Sequence, residues 1–196
     1  MSSCLISAGL KSRTRRELKH RWELISHGGK PEFLRERLQD NLRWWLQRHP
    51  GIWASYRPLS MEADPLIGKV AGIDWVFPRI ENDRLVFASW GRGQDAEFTV
   101  HRYGMEEPPL LATIVEPALL TGMLIPGLGF DRFGGRLGRG AGFYDRTLHG
   151  SEGSFKGLKV GIAYGFQMME ELPMEPHDVR MDVIVTDQTV IECGGF

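Results

Sequence analysis

Residues 125–146 read IPGLGFDRFGGRLGRGAGFYDR, and this glycine-rich stretch combines seven glycines with several arginines. Glycine lacks Cβ, so its backbone can adopt positive φ and bring several N–H groups close to an anion. Arg136 and Arg139 add guanidinium groups, whose forked donors suit phosphate oxygens. Residues 142–148, which read GFYDRTL, predict a helix whose N-terminal dipole faces the same anion. The stretch therefore predicts a phosphate-binding loop.

Two common nucleotide-binding motifs do not describe this stretch. No GxxxxGK[ST] occurs, so it is not a Walker A loop. The spacing of Gly138, Gly140 and Gly142 is GxGxG, which differs from the GxGxxG fingerprint of dinucleotide-binding folds. A glycine-rich surface turn is the simplest alternative. The interleaved arginines favour the anion site, because a turn that needs only flexibility has no use for them.

The residues on either side of the stretch predict the order of helices and strands. Helical spacing of apolar residues predicts a first helix over residues 11–26 and a second that starts at Pro31 and ends before His49. Short β-branched or aromatic runs predict strands at 52–56, 73–77, 85–89, 111–115, 119–125, 158–164 and 183–186. Further helical stretches are predicted near residues 64–70 and 143–148.

Mixed strands and helices imply an α/β fold. We expect a single domain over residues 1–196, with a mixed, mostly parallel sheet flanked by helices in a Rossmann-like three-layer arrangement. The N-terminal helical segment, residues 1–50, is expected to pack on that domain. Ligands of such sheets bind beyond the carboxyl ends of the strands, and the glycine-rich stretch follows one of them.

Composition restricts the classes of function. The chain has 196 residues, a formal net charge of -1 and two cysteines. A charge near zero disfavours a protein that coats nucleic acid, and two cysteines are too few for a disulfide scaffold. The sequence has no run of about 18 apolar residues, the length needed to cross a bilayer. We therefore expect a cytoplasmic monomer that binds small molecules, with neither nucleic acid nor a membrane as partner.

The first helical segment is nevertheless strongly basic. Its cations could form a solvated helix face, an RNA-binding edge or a set of phosphate ligands. Lys11 and Arg15 are one helical turn apart and so lie on one face. The arginines of the glycine-rich stretch favour phosphate ligands, and no aromatic-rich RNA signature accompanies the charge. The cluster comprises Lys11, Arg13, Arg15, Arg16, Lys19 and Arg21.

Residues 126–148 resemble the signature of the 5-formyltetrahydrofolate cyclo-ligases, also called methenyltetrahydrofolate synthetases. The family pattern P-G-x-x-F-D-x-x-G-x-R-L-G-x-G-x-G-[YF]-Y-D is matched in order from Pro126 to Asp145. The resemblance spans residues 11–186. Before the signature it includes a K-x-x-x-R at Lys11 and Arg15, the Y-x-P-x-x-x-E of residues 56–62, the strand end Phe-Pro-Arg-Ile at residues 77–80 and the Glu-Pro pair at 107–108. After the signature it includes the Q-x-x-x-x-L-P-x-x-x-H-D of residues 167–178 and the Met-Asp pair at 181–182.

The resemblance implies an enzyme, a ligase that forms a C–N bond. Members close 5-formyltetrahydrofolate to 5,10-methenyltetrahydrofolate while they cleave ATP to ADP and phosphate, with Mg²⁺ as cofactor. By the same resemblance Arg136, Arg139 and Lys11 are catalytic, Asp145 and Asp182 bind the metal, and Glu62, Phe130 and Tyr144 contact the substrate. The residues that it assigns to ATP binding are Lys11, Ser12, Arg13, Thr14, Arg15, Arg136, Leu137, Gly138, Arg139, Gly140, Ala141, Gly142, Phe143 and Tyr144.

Taken singly, several of these residues have simpler interpretations. Asp145 fits a first-turn helix aspartate that the dipole favours, and Asp182 fits a surface carboxylate at the start of a strand. Glu62 fits a solvated helix cap. Phe130 and Tyr144 fit ordinary packing.

Two further alternatives concern the activity. His177 and Asp178 could be a structural hydrogen-bonded pair as readily as an acid–base pair, and we assign them no catalytic role. The sequence also departs from the family pattern at two places. Thr121 or Gly122 stands where an acidic residue is expected, and residues 63–65 are Ala-Asp-Pro in place of Val-Asp-Thr. A non-catalytic folate or nucleotide binder on the same fold is therefore the alternative function.

Overall fold

A computed structural model describes residues 2–26, 32–65, 68–89, 98–150 and 155–194. Three α-helices occur in these residues, α1 (Ser2–Ser26), α2 (Glu32–Leu46) and α3 (Phe143–Gly150). Short 3-10 helices cover Pro117–Leu119 and Gly165–Gln167. The strands are β1 (Gly51–Ala54), β2 (Ile73–Glu81), β3 (Arg84–Ser89), β4 (Thr99–Val100), β5 (Glu106–Glu107), β6 (Ile114–Val115), β7 (Gly122–Pro126), β8 (Gly129–Asp131), β9 (Arg136–Leu137), β10 (Leu158–Ile162), β11 (Met168–Met169), β12 (Val183–Val185) and β13 (Val190–Glu192).

The main sheet has eight strands in the order β13-β12-β10-β7-β1-β2-β3-β6. Its five central strands, from β12 to β2, pair in parallel, and the strands at both edges pair antiparallel. All five residues of β7 are buried, as expected for a parallel strand that is covered on both faces. A small sheet, β11-β8-β9, and the hairpin β4-β5 complete the strand structure of the described residues.

The two faces of the sheet bury separate apolar clusters. On one face, Trp22 of α1 and the buried stripe of α2 pack against Leu124 and other side chains of the sheet. That stripe is Leu38, Leu42, Trp45 and Leu46, which recur at helical spacing. On the other face, Met123 and Ile125 join a cluster that includes α3 and β8. Helices therefore lie on both faces of the sheet, and the predicted fold class is confirmed.

Each of the seven predicted strands overlaps an observed one. The predicted helix at residues 143–148 is confirmed as α3, and the first helix begins nine residues earlier than predicted, at Ser2. The prediction started that helix at the basic cluster, where the apolar spacing begins. The predicted start of the second helix at Pro31 lies outside the described residues.

Two local predictions are corrected. Residues 63–65 and 68–70 contain no helix, and residues 66–67 of the predicted 64–70 helix lie outside the described residues. Pro65 disfavours the α conformation of the residue before it, and Gly68 has a φ of 64° in the left-handed region. The strands β4, β5, β8, β9, β11 and β13 were not predicted, because runs of two or three residues carry no usable periodicity.

None of the helices in the described residues combines the length and the apolar character that a bilayer-spanning helix requires. The longest, α1, carries the basic cluster along its middle.

Candidate functional site

A cavity of about 720 Å³ lies at the carboxyl ends of β1 and β7, the position expected for a ligand site of a parallel sheet. Its volume is in the range of small-molecule sites. The walls come from α1, the segment after β1, the β2–β3 and β4–β5 hairpins, the glycine-rich stretch and residues 175–178. Segments far apart in the chain therefore meet at one place.

The helix α1 contributes two of its basic side chains to the cavity. Nζ of Lys11 donates to Oε2 of Glu175 and to Oδ2 of Asp178, each at 2.6 Å. Burial alone would lower the pKa of Lys11, but its hydrogen bonds to the two carboxylates outweigh burial and raise that pKa. Nε of Arg15 donates to the carbonyl oxygen of Gly138 at 2.9 Å, which links α1 to the glycine-rich stretch.

The three residues between these cations lie outside the cavity. Ser12 and Arg13 are exposed, and Oγ1 of Thr14 donates to the carbonyl oxygen of Leu10 within the helix. These three residues lie off the helix face that meets the cavity, because only positions about four residues apart share that face, and their contact with ATP stays a prediction.

All the predicted ATP-binding residues of the glycine-rich stretch, 136–144, line the cavity. Gly140 and Gly142 have φ values of 105° and 69°, in the left-handed region that glycine adopts without strain. The stretch then enters α3 at Phe143, so the first turn of this helix borders the cavity.

The guanidinium of Arg136 is nearly buried at the base of the stretch. Its Nη2 lies 2.8 Å from Oδ2 of Asp145, and Nη1 donates to the carbonyl oxygen of Pro126 at 3.2 Å. Its Nε is buried and has no hydrogen-bond partner among the described residues. Arg136 lines the cavity, so its positive charge lies at the cavity wall.

Arg139 bridges the glycine-rich stretch to the segment after β1. Its Nε lies 3.0 Å from Oε1 of Glu62, and Nη2 donates to the carbonyl oxygen of Ser60. The Glu62 side chain is 7% exposed and that of Arg139 is 34% exposed. Oε2 of Glu62 also accepts from the backbone N–H of Leu59 at 3.0 Å. The predicted substrate contact and a predicted catalytic arginine are therefore paired in this structure.

The two aromatic residues predicted to contact substrate occupy different places. Tyr144 lines the cavity, and burial, followed by the charge of Glu62, raises the pKa of its hydroxyl far above the usual range. That hydroxyl stays protonated and can donate a hydrogen bond at any working pH. Phe130 is 0% exposed, belongs to the apolar core and does not line the cavity, so its contact with substrate stays a prediction.

The predicted metal ligands are also separated. Asp145 lines the cavity, whereas Asp182 lies outside it, at the start of β12. Oδ2 of Asp182 accepts from the backbone N–H of Lys159 and pairs with Nζ of the same residue at 2.8 Å. This strand start is at the amino end of the parallel sheet, opposite the cavity, so the structure does not bring Asp145 and Asp182 together.

A second group of possible metal ligands lines the cavity at residues 175–178. Glu175, His177 and Asp178 offer one ligand atom each within 4.8 Å of one another. The backbone N–H of Val179 donates to Oδ1 of Asp145 at 3.5 Å, which links Asp145 to the segment that carries Asp178. Hard carboxylate oxygens of this kind suit Mg²⁺.

Sequence reasoning missed the wall formed by the β2–β3 and β4–β5 hairpins. Arg57, Tyr103, Met105, Glu106 and Arg146 line it. Tyr103 and Met105 belong to no motif, and a hairpin with two-residue strands leaves no periodic signal. Arg57 and Arg146 lie inside or beside recognised motifs, at positions that those motifs do not specify.

Comparison with known proteins identifies the family. A family model described as the 5-formyltetrahydrofolate cyclo-ligase family matches residues 71–187, more than half of the chain. The chain belongs to this family. The family match covers β2 to β12, and with them the glycine-rich stretch and the carboxylates of residues 175–178.

Full-length relatives agree with the family assignment. A 5-formyltetrahydrofolate cyclo-ligase from Mycolicibacterium smegmatis is 32% identical over 176 residues, which cover 80% of this chain and 85% of the relative. The solved 5,10-methenyltetrahydrofolate synthetase from Aquifex aeolicus superposes with a TM-score of 0.77 at 31% identity, over 93% of this chain and 92% of the other. A second solved synthetase, from Mycoplasma pneumoniae, gives 0.66 at 27% identity over 90% and 98% of the two chains. The cyclo-ligase family is a family of ligases, so this chain is assigned to the same enzyme class.

Proposed function

We propose that the chain closes 5-formyltetrahydrofolate to 5,10-methenyltetrahydrofolate, with cleavage of ATP to ADP and phosphate and with Mg²⁺ as cofactor. One observation carries the proposal: the cations of α1 and of the glycine-rich stretch line the same cavity as Glu62. Phosphate-binding groups and a buried carboxylate in one cavity match a reaction between a nucleotide and a pterin.

The chemistry explains why both ligands are needed. A formamide oxygen is a poor leaving group. When it attacks the γ-phosphorus, a new O–P bond forms, the bond to the β-phosphate oxygen breaks, and ADP leaves. The neighbouring folate nitrogen then attacks the formyl carbon and loses its proton, while the C–O bond breaks and phosphate leaves. The protein has to hold the γ-phosphoryl group in line with the formyl oxygen and neutralise its charge.

The residues of the cavity divide this work. We assign Lys11, Arg15 and Arg136 to the phosphates, because all three line the cavity and Arg15 links α1 to the glycine-rich stretch. Arg139 is assigned to the transferring phosphoryl group, since its partly exposed guanidinium reaches across the cavity to Glu62. Glu62 is assigned to the amino-pyrimidine edge of the pterin, where a carboxylate accepts paired hydrogen bonds.

Mg²⁺ fits the carboxylates of the cavity. Asp145 and Asp178 would hold it, since both line the cavity and the segment of Asp178 contacts Asp145 through the backbone of Val179. Bound there, the ion would neutralise negative charge on the phosphates. In this structure the two carboxylates pair with cationic side chains, Asp178 with Lys11 and Asp145 with Arg136.

Asp178→Asn should raise the Mg²⁺ concentration for half-maximal activity by about tenfold or more, because a neutral amide is a weaker ligand for a hard cation. Asp182→Asn is the matched control, and its Mg²⁺ dependence should equal that of the wild type. Activity titrated with Mg²⁺ at saturating ATP measures both. An increase for Asp182→Asn, with Asp178→Asn unchanged, would restore the assignment that the sequence predicts.

The direct test of the activity is an absorbance assay. Purified protein with ATP, Mg²⁺ and 5-formyltetrahydrofolate is expected to form the methenyl chromophore and to release ADP in equal amount.

A non-catalytic binder would bind both ligands in a calorimetric titration and consume no ATP. The departures that motivate this alternative, Thr121 and residues 63–65, do not line the cavity. The single domain, the monomeric state and the cytoplasmic location stay predictions.

A further inference from the structure

One wall of the cavity has no role in the reaction described above. It is formed by the start of α3, the β2–β3 hairpin and the β4–β5 hairpin. Phe143 and Tyr103 stand on this wall with ring centroids 5.7 Å apart and planes tilted by 55°. Leu85 and Met105 line the cavity beside them, and both belong to the same apolar cluster as Phe143. The wall is thus aromatic and apolar.

Arg146 places a positive charge at the edge of this apolar wall. Its guanidinium lies over the Phe143 ring, 5.2 Å from the centroid. Nε donates to the carbonyl oxygen of Asp83 at 3.1 Å and Nη1 to that of Ala141 at 2.7 Å. These bonds hold the guanidinium in place, while Nη2 carries two further N–H donors. Such a side chain is prepared to bind a carboxylate with little loss of conformational freedom.

The other charges on this wall compensate each other. Nε of Arg57 lies 3.5 Å from Oε2 of Glu106, and its guanidinium lies over the Phe98 ring at 4.6 Å from the centroid. Arg146 is held by carbonyl oxygens and makes no ion pair among the described residues. The net charge of the wall is therefore positive, and its excess resides on Arg146.

We propose that this wall binds the aminobenzoyl-glutamate part of the folate, with Arg146 as the residue that binds a glutamate carboxylate. The inference rests on the proposed function, because it assumes a folate substrate. An aminobenzoyl ring suits the tilted pair of Phe143 and Tyr103, since aromatic rings attract one another in offset and edge-on arrangements. Beyond the ring, the substrate carries carboxylates that are ionised at neutral pH, and a charge-assisted bond to a guanidinium matches them. Arg146 is thereby a specificity-determining residue for the tail.

The test compares two substrates in two variants. Binding of 5-formyltetrahydrofolate and of 5-formyltetrahydropteroate, which lacks the glutamate, is titrated calorimetrically, and KM and kcat are measured for each. Arg146→Gln should weaken binding and raise the KM of the glutamate-bearing substrate by about tenfold, the effect of one lost charge-assisted bond. The truncated substrate, kcat and the KM for ATP should not change.

Arg48→Gln is the control variant. Arg48 is likewise stacked on an aromatic ring, 3.8 Å from the centroid of Trp44, and donates to a backbone carbonyl, but it lies on α2's C-terminal side and does not line the cavity. Arg48→Gln should leave the binding affinities, KM and kcat for both substrates at the wild-type values.

The outcomes separate the two claims. Equal weakening of both substrates by Arg146→Gln, or no weakening of either, overturns the tail site, because the effect would then be structural or absent. Binding of both substrates by the wild type without turnover defeats the proposed activity alone, and the binding titrations still decide the role of Arg146. Failure of the wild type to bind either folate overturns both claims.

Discussion

Arg139→Ala is expected to lower kcat/KM for cyclisation by about 10²–10³-fold, the cost of removing one donor that stabilises transition-state charge. In this structure the guanidinium pairs with Glu62, the carboxylate that we assign to the pterin. Steady-state rates of methenyl formation measure the effect. Arg139→Lys should recover part of the loss, because it keeps the charge but not the forked donors.

Stability measurements separate this effect from misfolding. The Arg139 side chain is one-third exposed, so we expect its ion pair to contribute only about 1 kcal/mol or less to the free energy of unfolding. For a chain of this size that corresponds to a Tm lowered by about 2–4 °C. A variant that unfolds at the assay temperature, or one that keeps full activity, would contradict the catalytic assignment.

Phe130→Ala should have the opposite profile, a large loss of stability with the binding of substrate preserved. The ring is fully buried. One of its carbons lies 2.6 Å from the position that a Cβ at residue 161 would occupy, so the ring packs directly against Gly161. Removal of a buried phenyl ring costs about 3–5 kcal/mol, which corresponds to a Tm lowered by about 6–20 °C. Urea unfolding measures the loss, and KM is compared below the transition.

Phe133→Ala is the matched control from the same hairpin. That side chain is 42% exposed, and Arg132 lies over its ring. Its removal should lower the free energy of unfolding by about 1 kcal/mol or less, as is usual for surface positions. If Phe130→Ala instead raised KM strongly and left the urea midpoint unchanged, the ring would belong to the substrate site after all.

The glycine-rich stretch was the easiest part of the cavity to find from sequence. Glycines at Gly140 and Gly142 and the arginines between them are local signals, because backbone conformation and phosphate affinity depend on those residues themselves. The central parallel strands were equally readable, since strands buried on both faces appear as continuous apolar runs. The same holds for α2, whose buried stripe recurs at helical spacing.

The sequence motifs alone did not predict which of their side chains line the cavity. Ser12, Arg13 and Thr14 stand between two cavity residues in sequence, yet α1 turns them away from the cavity. Phe130 belongs to the signature, but its ring lies in the apolar core. Asp182 lies at the amino end of a parallel strand, whereas the cavity is at the carboxyl ends. In each case the placement depends on the tertiary structure and not on the motif.

By itself, the sequence determined the fold class, the family and the position of the glycine-rich stretch, because these depend on periodicity, glycine and charge within short segments. Only the tertiary structure decided that Lys11 meets Glu175 and Asp178, that Arg139 pairs with Glu62, and that the β4–β5 hairpin closes one wall of the cavity. These contacts join residues from 77 to 167 positions apart in the chain. Such distances are set by the packing of the whole sheet, and no local pattern encodes them.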